Sequence, residues 1–362
     1  MDNLKNLKQS MQAQQEKLKE FVTHGDSAIQ KFYENSSVFI TGGTGFIGKL
    51  LIEKLSRACS LNKIYVLIRS KKNKSIKQRI LELMDDPVFD VIKSEQPNFG
   101  SKIIPIEGDI TEYRLGLSKA DWNTISDEVD TIFHMAANIR FDVELKEALL
   151  CNVRGTREAV QLGKDCKKLR AFVYVSTAYT YATEDRVGCL VSEDIQTPPM
   201  ESELLVNMAE TMSSETLDKI APVLVNGWPN TYTYTKAVAE EVVRSLGNDL
   251  PICVVRPGIV IATYMEPIAG WIDESNVYGP TGLLLGSGLG LVKVLCANRK
   301  NKVNIVPGDL VTNAIIAAGW ETGSQRETKP LKPEVYTVSN IRNQITWDSL
   351  KCTRKYTNCQ RC

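Results

Sequence analysis

The stretch Thr41-Gly42-Gly43-Thr44-Gly45-Phe46-Ile47-Gly48 constrains this chain more than any other. It follows Ser37-Val38-Phe39-Ile40, a β-branched and aromatic run. It precedes Lys49-Leu50-Leu51-Ile52-Glu53-Lys54-Leu55, whose apolar residues recur at helical spacing. Gly42 suits a tight turn, Gly45 leaves room for a pyrophosphate beside the backbone, and Gly48 lets the helix pack closely. The helix N-terminus adds free amides and the positive end of its dipole. Glycine spacing alone is a weak signal. Between a strand and a helix it reads as a dinucleotide-binding loop, with Thr41, Gly42, Thr44, Gly45, Phe46, Ile47 and Gly48 as candidate contacts.

From Ser37 onward, apolar runs alternate with helical patterns. Strands are expected at 38–41, 64–68, 102–106, 129–133, 170–175 and 252–255, which implies an α/β fold with a doubly wound parallel sheet covered on both faces. The 362 residues supply ample core, and a net charge of +1 gives no electrostatic case for nucleic acid. Residues 1–30 read as a polar extension, with Leu4, Leu7, Met11, Leu18 and Phe21 marking a surface helix. Residues 31–346 form the Rossmann-type body, with pocket-building insertions at about 184–230 and 262–300. A helix is expected from Glu203 to Ile220, and 347–362 is an atypical tail.

The segment Leu283–Cys296 is apolar but short and broken by Gly286, Gly288 and Gly290, so it reads as a buried or interfacial helix rather than a bilayer span. Nine cysteines without regular spacing suggest reduced thiols. Cys352, Cys359 and Cys362 lack a fourth ligand, so no metal is expected. His24 and His134 are isolated, and His134 is expected to be a packed histidine rather than a catalytic one.

The second strand ends in Arg69, where an acid would bind a ribose hydroxyl and arginine suits a 2′-phosphate. Lys71 and Lys72 add positive charge, so NADPH is favoured over NADH; a merely solvated basic stretch is the alternative. Asp109 and Ile110 close the third strand at the adenine end. After the fourth strand, Ala136 and Ala137 are small enough for a cofactor to lie against the backbone. The fifth strand opens into Ser176-Thr177, and Tyr232 and Lys236 later sit four residues apart on one helix face. A Tyr-x-x-x-Lys arises by chance about once in a chain this long. Here it follows a nucleotide loop and a hydroxyl-bearing strand end, the order that carbonyl reduction needs. The ammonium is expected to lower the phenol pKa, and Thr177 or Ser176 to hold the carbonyl oxygen.

These segments resemble an extended short-chain dehydrogenase/reductase, and more narrowly a fatty acyl-CoA reductase of the male-sterility type. The resemblance is carried by Val38–Lys49, Lys63–Arg69, Tyr174–Tyr179, Asn230–Ala237 and Val255–Val260. Ile268-Ala269-Gly270-Trp271-Ile272-Asp273 and Gly279-Pro280-Thr281-Gly282 are specific to that family, and the match runs from about Ile29 to Thr346.

The resemblance implies Thr177, Tyr232 and Lys236 as the catalytic trio, with Tyr232 and Lys236 also touching cofactor. Asn152 would support an active-site water or the lysine, and Pro257, Gly258 and Val260 would pass beside the nicotinamide. The implied reaction consumes two NADPH and reduces a long-chain acyl-CoA to a primary alcohol. Rivals are another extended short-chain reductase or epimerase, acting on a small carbonyl or sugar nucleotide, and an inactive isoform that only binds NADPH.

Relatives of this type continue into a helical C-terminal domain and sit at peroxisomal or endoplasmic reticulum membranes. This chain departs from them after Thr346 and reads as a truncated or alternatively spliced product. It is expected to be soluble and cytosol-facing without a span of its own, and a homodimer paired through helices is one expected state.

Overall fold

A computed structural model describes residues 26–70, 74–325 and 332–349. The expected N-terminal surface helix, Lys71, Lys72 and the C-terminal cysteine cluster lie outside the described residues. Seven strands form the central sheet: β1 (Ser37–Thr41), β2 (Lys63–Ile68), β3 (Ile103–Glu107), β4 (Thr131–His134), β5 (Ala171–Val175), β6 (Ile252–Pro257) and β10 (Glu334–Val338). Their order is β10-β6-β5-β4-β1-β2-β3, and every pairing is parallel. The order reverses between β1 and β4, the switch point at which an open α/β sheet leaves a crevice above its strand ends. Four short strands lie outside this sheet: β7 (Ile259–Ile261) pairs with β9 (Ile305–Pro307), and β8 (Lys302–Val303) with β11 (Ile345–Thr346).

The helices are α1 (Ala28–Tyr33), α2 (Phe46–Ala58), α3 (Ile76–Met84), α4 (Asp90–Glu95), α5 (Lys119–Glu128), α6 (Leu145–Ala148) and α7 (Gly155–Asp165). They continue with α8 (Ser202–Thr211), α9 (Ser214–Leu224), α10 (Thr231–Leu246), α11 (Gly279–Gly288) and α12 (Gly308–Ser324). The sheet separates two cores, because side chains alternate along each strand. Val38, Ile40, Val66, Val173 and Val255 pack with α1, α2 and α12 on one face. Phe39, Tyr65, Ile132, Phe172 and Val254 pack with α5, α7 and α10 on the other. A third cluster joins α8 and α9 to α10 through Leu205, Val206, Leu217, Tyr234 and Val238.

Three features differ from the sequence expectations. The helix expected from Glu203 to Ile220 is two helices, since Met212 is extended and Ser213 accepts the Thr216 amide at 3.2 Å to cap a new start. The seventh strand, β10, was not anticipated although Glu334-Val-Tyr-Thr-Val338 is β-branched and aromatic. The third is Leu283–Cys296, which is neither buried nor one helix. α11 ends at Gly288, Gly290 adopts a left-handed φ of +76°, and the Leu291 amide turns back to the Gly286 carbonyl.

Candidate active site

Thr41 closes β1 directly opposite His134 in β4, a register that puts their side chains in contact. The Thr41 hydroxyl accepts the Met135 and Ala136 amides, each at 3.2 Å, so its own proton goes to His134 Nδ1 at 2.8 Å. His134 Nε2 then donates to Thr156 Oγ1 at 3.2 Å, and Thr156 donates to the Asn152 carbonyl at 2.7 Å. The ring is fully buried and its pKa is pushed down to about 3 by burial and then by the Lys236 charge, so it stays neutral. His134 is thus the packed, satisfied histidine that was expected. Thr41 fixes the β1–β4 junction.

Above this junction opens a cleft of about 600 Å³, reached by Gly42, Thr44, Gly45, Phe46, Ile47 and Gly48. Gly42 has φ +78°, and a Cβ there would stand 2.8 Å from the Ala136 nitrogen; one on Gly48 would stand 2.2 Å from the Gly42 oxygen. Both glycines are required by the protein's own packing. Gly45 is not, because its Cβ would meet nothing closer than 3.4 Å. Its missing side chain leaves space on the cleft side at the N-terminus of α2, which is what a dinucleotide pyrophosphate needs. The residues present therefore fit such a group. Arg69, Asp109, Ile110, Ala136, Ala137 and Val260 also line this cleft.

A guanidinium that the sequence reading missed, Arg79 on α3, joins Arg69 at the cleft wall and donates to the Arg69 carbonyl. Burial and the neighbouring Arg69 charge both lower its pKa. Arg69 itself lies 3.6 Å from Asp109 and is half-exposed. The signal for Arg79 was its spacing, one helix turn into α3 on the side facing β2.

Of the candidate cofactor contacts, Thr41, Asn152, Tyr232, Lys236, Pro257 and Gly258 are not among the residues that line the cleft. The Pro257 carbonyl accepts the Ala178 amide, and the Gly258 amide donates to Val338. A Cβ on Gly258 would stand 2.7 Å from Asn304 Oδ1, so this glycine accommodates Asn304. Asn152 sits in a π-helical turn, Leu149–Arg154, that joins α6 to α7. Its amide accepts from the Asn138 nitrogen at 2.8 Å and donates to the Asn138 carbonyl at 3.1 Å and to Thr235 at 2.9 Å. The side chain therefore shapes the β4 loop and ties it to α10.

The trio gathers at the end of β5. α10 starts at Asn230, whose side chain accepts the Thr233 amide at 2.9 Å, so Tyr232 occupies the first turn and Lys236 the next. Thr177 hydrogen-bonds the Tyr232 hydroxyl, and the Phe141 ring lies 5.9 Å from the Tyr232 ring. The buried Lys236 ammonium donates to the Val175 carbonyl at 2.8 Å and to the Tyr174 hydroxyl at 3.3 Å. The expected lowering of the phenol pKa is not seen. Burial pushes Tyr232 up to about 12 against the Thr177 bond, while burial brings Lys236 down to about 8. The ammonium is turned to the strand end rather than to the phenol, which is the physical reason for the difference.

Ser176, the other hydroxyl weighed for the carbonyl oxygen, donates to Glu240 Oε1 at 2.6 Å. Glu240, one turn beyond Lys236 and fully buried, also takes two bonds from Arg256, at 3.0 and 2.7 Å. Arg256 in turn donates to the Ser192 and Asp194 carbonyls at 3.0 and 3.1 Å. This network clamps α10 to β5, β6 and the loop near 192. Sequence reading missed it, although a Lys-x-x-x-Glu on a buried helix face was its signal.

The far wall of the cleft comes from Ile272, Asp273, Val277, Tyr278 and Thr281. It is tied to the glycine loop at two points. Phe46 stacks on Trp271 with ring centroids 5.2 Å apart, and Lys49 pairs with Asp273 at 3.0 Å and Asp86 at 2.7 Å. Among the described residues no cluster of histidine, cysteine or carboxylate could hold a metal ion.

Residues 40–315 match an NAD-binding family described as male sterility protein. A fatty acyl-CoA reductase named wat from Drosophila melanogaster is 40% identical over 322 residues, which cover 89% of this chain and 61% of that protein. Human fatty acyl-CoA reductase 1 is 39% identical over 326 residues, 90% of this chain and 62% of its own length. The chain thus spans about three fifths of these relatives. Among solved structures, the terminal R domain of the myxalamid PKS-NRPS pathway superposes with a TM-score of 0.61 at 22% identity, over 89% of this chain and 70% of that one. The Bordetella bronchiseptica enzyme WbmF in complex with NAD+ gives 0.57 at 15% identity, over 91% and 81%. These structural likenesses establish a shared Rossmann-type fold.

Proposed function

Since the chain belongs to the male sterility family of NAD-binding proteins, we propose that it is an NADPH-dependent fatty acyl-CoA reductase that makes primary alcohols. The observation that carries this reading is the convergence of Thr177, Tyr232 and Lys236 on the end of β5, next to a cleft built around a nucleotide-type glycine loop. The names of the curated relatives support the acyl-CoA substrate.

The paired guanidinium groups of Arg69 and Arg79 favour a 2′-phosphate, because two crowded cations are relieved by a dianion. When bound, NADPH would supply hydride to the carbonyl carbon. Tyr232, protonated at neutral pH with its pKa near 12, donates its hydroxyl proton to the carbonyl oxygen. Thr177 orients that hydroxyl. Lys236 places a positive charge under the strand end and favours negative charge developing nearby. In the first reduction the thioester carbonyl takes up hydride and coenzyme A leaves as thiol, giving an aldehyde. In the second, the aldehyde takes up hydride and a proton to give the alcohol.

The test follows NADPH oxidation by the purified chain with acyl-CoAs of increasing length and identifies the lipid product, with Tyr232→Phe as control. Alcohol that forms faster with longer chains and disappears in the variant supports the proposal. NADPH binding without turnover on any acyl-CoA would overturn it.

A further inference from the structure

We propose that Tyr174 is a positioning residue for Lys236, fixing its ammonium at the end of β5 through a row of hydrogen-bonded side chains that starts at the strand leading into the glycine loop. The role rests on the reductase reading, because Lys236 is a member of that trio.

Register builds the row. Thr41 on β1 stands opposite His134 on β4, and His134 stands opposite Tyr174 on β5. Residues paired across neighbouring strands point to one face, so the three side chains lie side by side at the strand ends. That face also carries Phe39, Ile132 and Phe172, and α7 and α10 cover it. The His134 and Tyr174 rings are stacked with centroids 5.8 Å apart. From the helix side, Lys236 donates to the Tyr174 hydroxyl at 3.3 Å and to the Val175 carbonyl at 2.8 Å, with Nζ 4.7 Å from the centre of the Tyr174 ring. A hydroxyl lone pair and a ring quadrupole therefore both favour the charged form of a side chain that burial penalises.

Hydrogen-bond direction locks the row. Thr156 on α7 is a second side-chain partner of Tyr174. Its own proton goes to the Asn152 carbonyl, so toward Tyr174 it accepts. The Tyr174 hydroxyl thus gives its proton to Thr156 and keeps its lone pairs for Lys236. Thr156 also receives His134 Nε2, and Thr41 fixes the other side of that ring. All five residues are buried, so neither the phenol nor the ammonium can turn without leaving a dry polar group unpaired. An ammonium held in this way is a preorganised charge, with no reorganisation needed as negative charge develops nearby.

Tyr174 is no proton donor to substrate. It is not among the residues that line the cleft, and burial, then the Glu240 charge, hold its pKa well above the usual phenol value. The groups facing Lys236 leave it alone to titrate near pH 8. His134 from β4 is neutral, and burial pushes the Cys151 thiol of the π-helical turn up to about 11. Glu240, on α10 itself, is paired with Arg256 at 2.7 Å.

The experiment reads Lys236 both directly and in catalysis. The full chain is prepared with lysine carrying 13C at Cε, and the Lys236 signal is assigned against Lys236→Met. Its titration is followed without substrate in the parent, Y174F and T156V. The same proteins give melting temperatures and pH profiles of kcat/KM with acyl-CoA and NADPH. Y174F keeps the ring under the ammonium and removes the oxygen, so the Lys236 midpoint is expected to fall by about one to two pH units, the worth of a hydrogen bond to a charged group. The alkaline limb of kcat/KM is expected to move down with it. T156V keeps the Tyr174 hydroxyl but removes its acceptor, and should move both in the same direction by less; it carries the test if Y174F does not fold. An unmoved midpoint in a folded variant overturns the proposal, and a lowered melting temperature beside it would make Tyr174 a packing residue only. A midpoint that moves while the limb stays overturns it too, since turnover then does not depend on that charge. A shifted midpoint in a chain that reduces no acyl-CoA keeps the hold of Tyr174 on Lys236 and loses the reductase reading.

Discussion

The two walls of the cleft are built differently. On the glycine-loop side the framework is closed: Thr41, His134 and Thr156 form a hydrogen-bonded chain, and Gly42 and Gly48 are packed so tightly that no Cβ fits. On the other side, order is borrowed through Phe46–Trp271 and Lys49–Asp273, and a few residues later the surface turns apolar and open. The contrast shows where binding specificity is pre-organised and where it depends on what the protein meets. A nucleotide loop must hold a rigid anion, so its shape is fixed by internal contacts. A wall for a flexible apolar ligand gains from exposure.

Substitutions can break or sharpen that contrast. The largest effect is expected at the trio: Tyr232→Phe should lower kcat/KM about 100- to 10,000-fold with unchanged NADPH affinity, read by steady-state kinetics and fluorescence titration. Glu240→Ala should follow, leaving the Arg256 guanidinium buried without its partner at a cost of about 3–5 kcal/mol, read by denaturant melts. Gly45→Ala should leave melting unchanged, since its Cβ meets only ordinary contact, yet weaken NADPH binding about tenfold or more. An equal loss of stability and affinity would contradict the division of roles among the three glycines.

The Lys236 ammonium titrates near 8 when folded, below its unfolded value near 10.4, because burial penalises the charge. Activity that needs the ammonium should therefore hold below pH 8 and fall above it. The folded chain binds fewer protons than the unfolded one between about pH 8 and 10.4, so this group raises stability as pH increases through that window. Lys236→Met should abolish the activity limb and remove this rise, seen by comparing melts at the two ends of the window. The smallest effect belongs to the open wall, where Leu291→Ser should change stability by no more than about 0.5 kcal/mol.

Much of this was legible beforehand. β1 and the glycine loop carry their own local signals, a buried apolar run and a turn that only glycine tolerates, and both stand where the pattern put them. Tyr232 and Lys236 were legible as a pair on one helix face, whereas residue type left Thr177 and Ser176 as alternatives that only the resemblance separated. Arg79, Glu240 and Arg256 were not legible, because a charged residue on an amphipathic helix or strand looks the same whether its partner is water or a buried counter-ion. The contact of Gly258 with Asn304, across nearly fifty residues, was not legible either, because no local pattern pairs them.

The sequence by itself determined the alternation of strand and helix and the nucleotide-type loop, since these follow from short-range periodicity and from glycine's steric freedom, and it placed Tyr232 and Lys236 on one helix face. The tertiary structure decided where the Lys236 ammonium points, and that Ser176 serves Glu240 and leaves Thr177 to Tyr232. Each of those depends on burial and on partners distant in the chain, and no local pattern encodes desolvation.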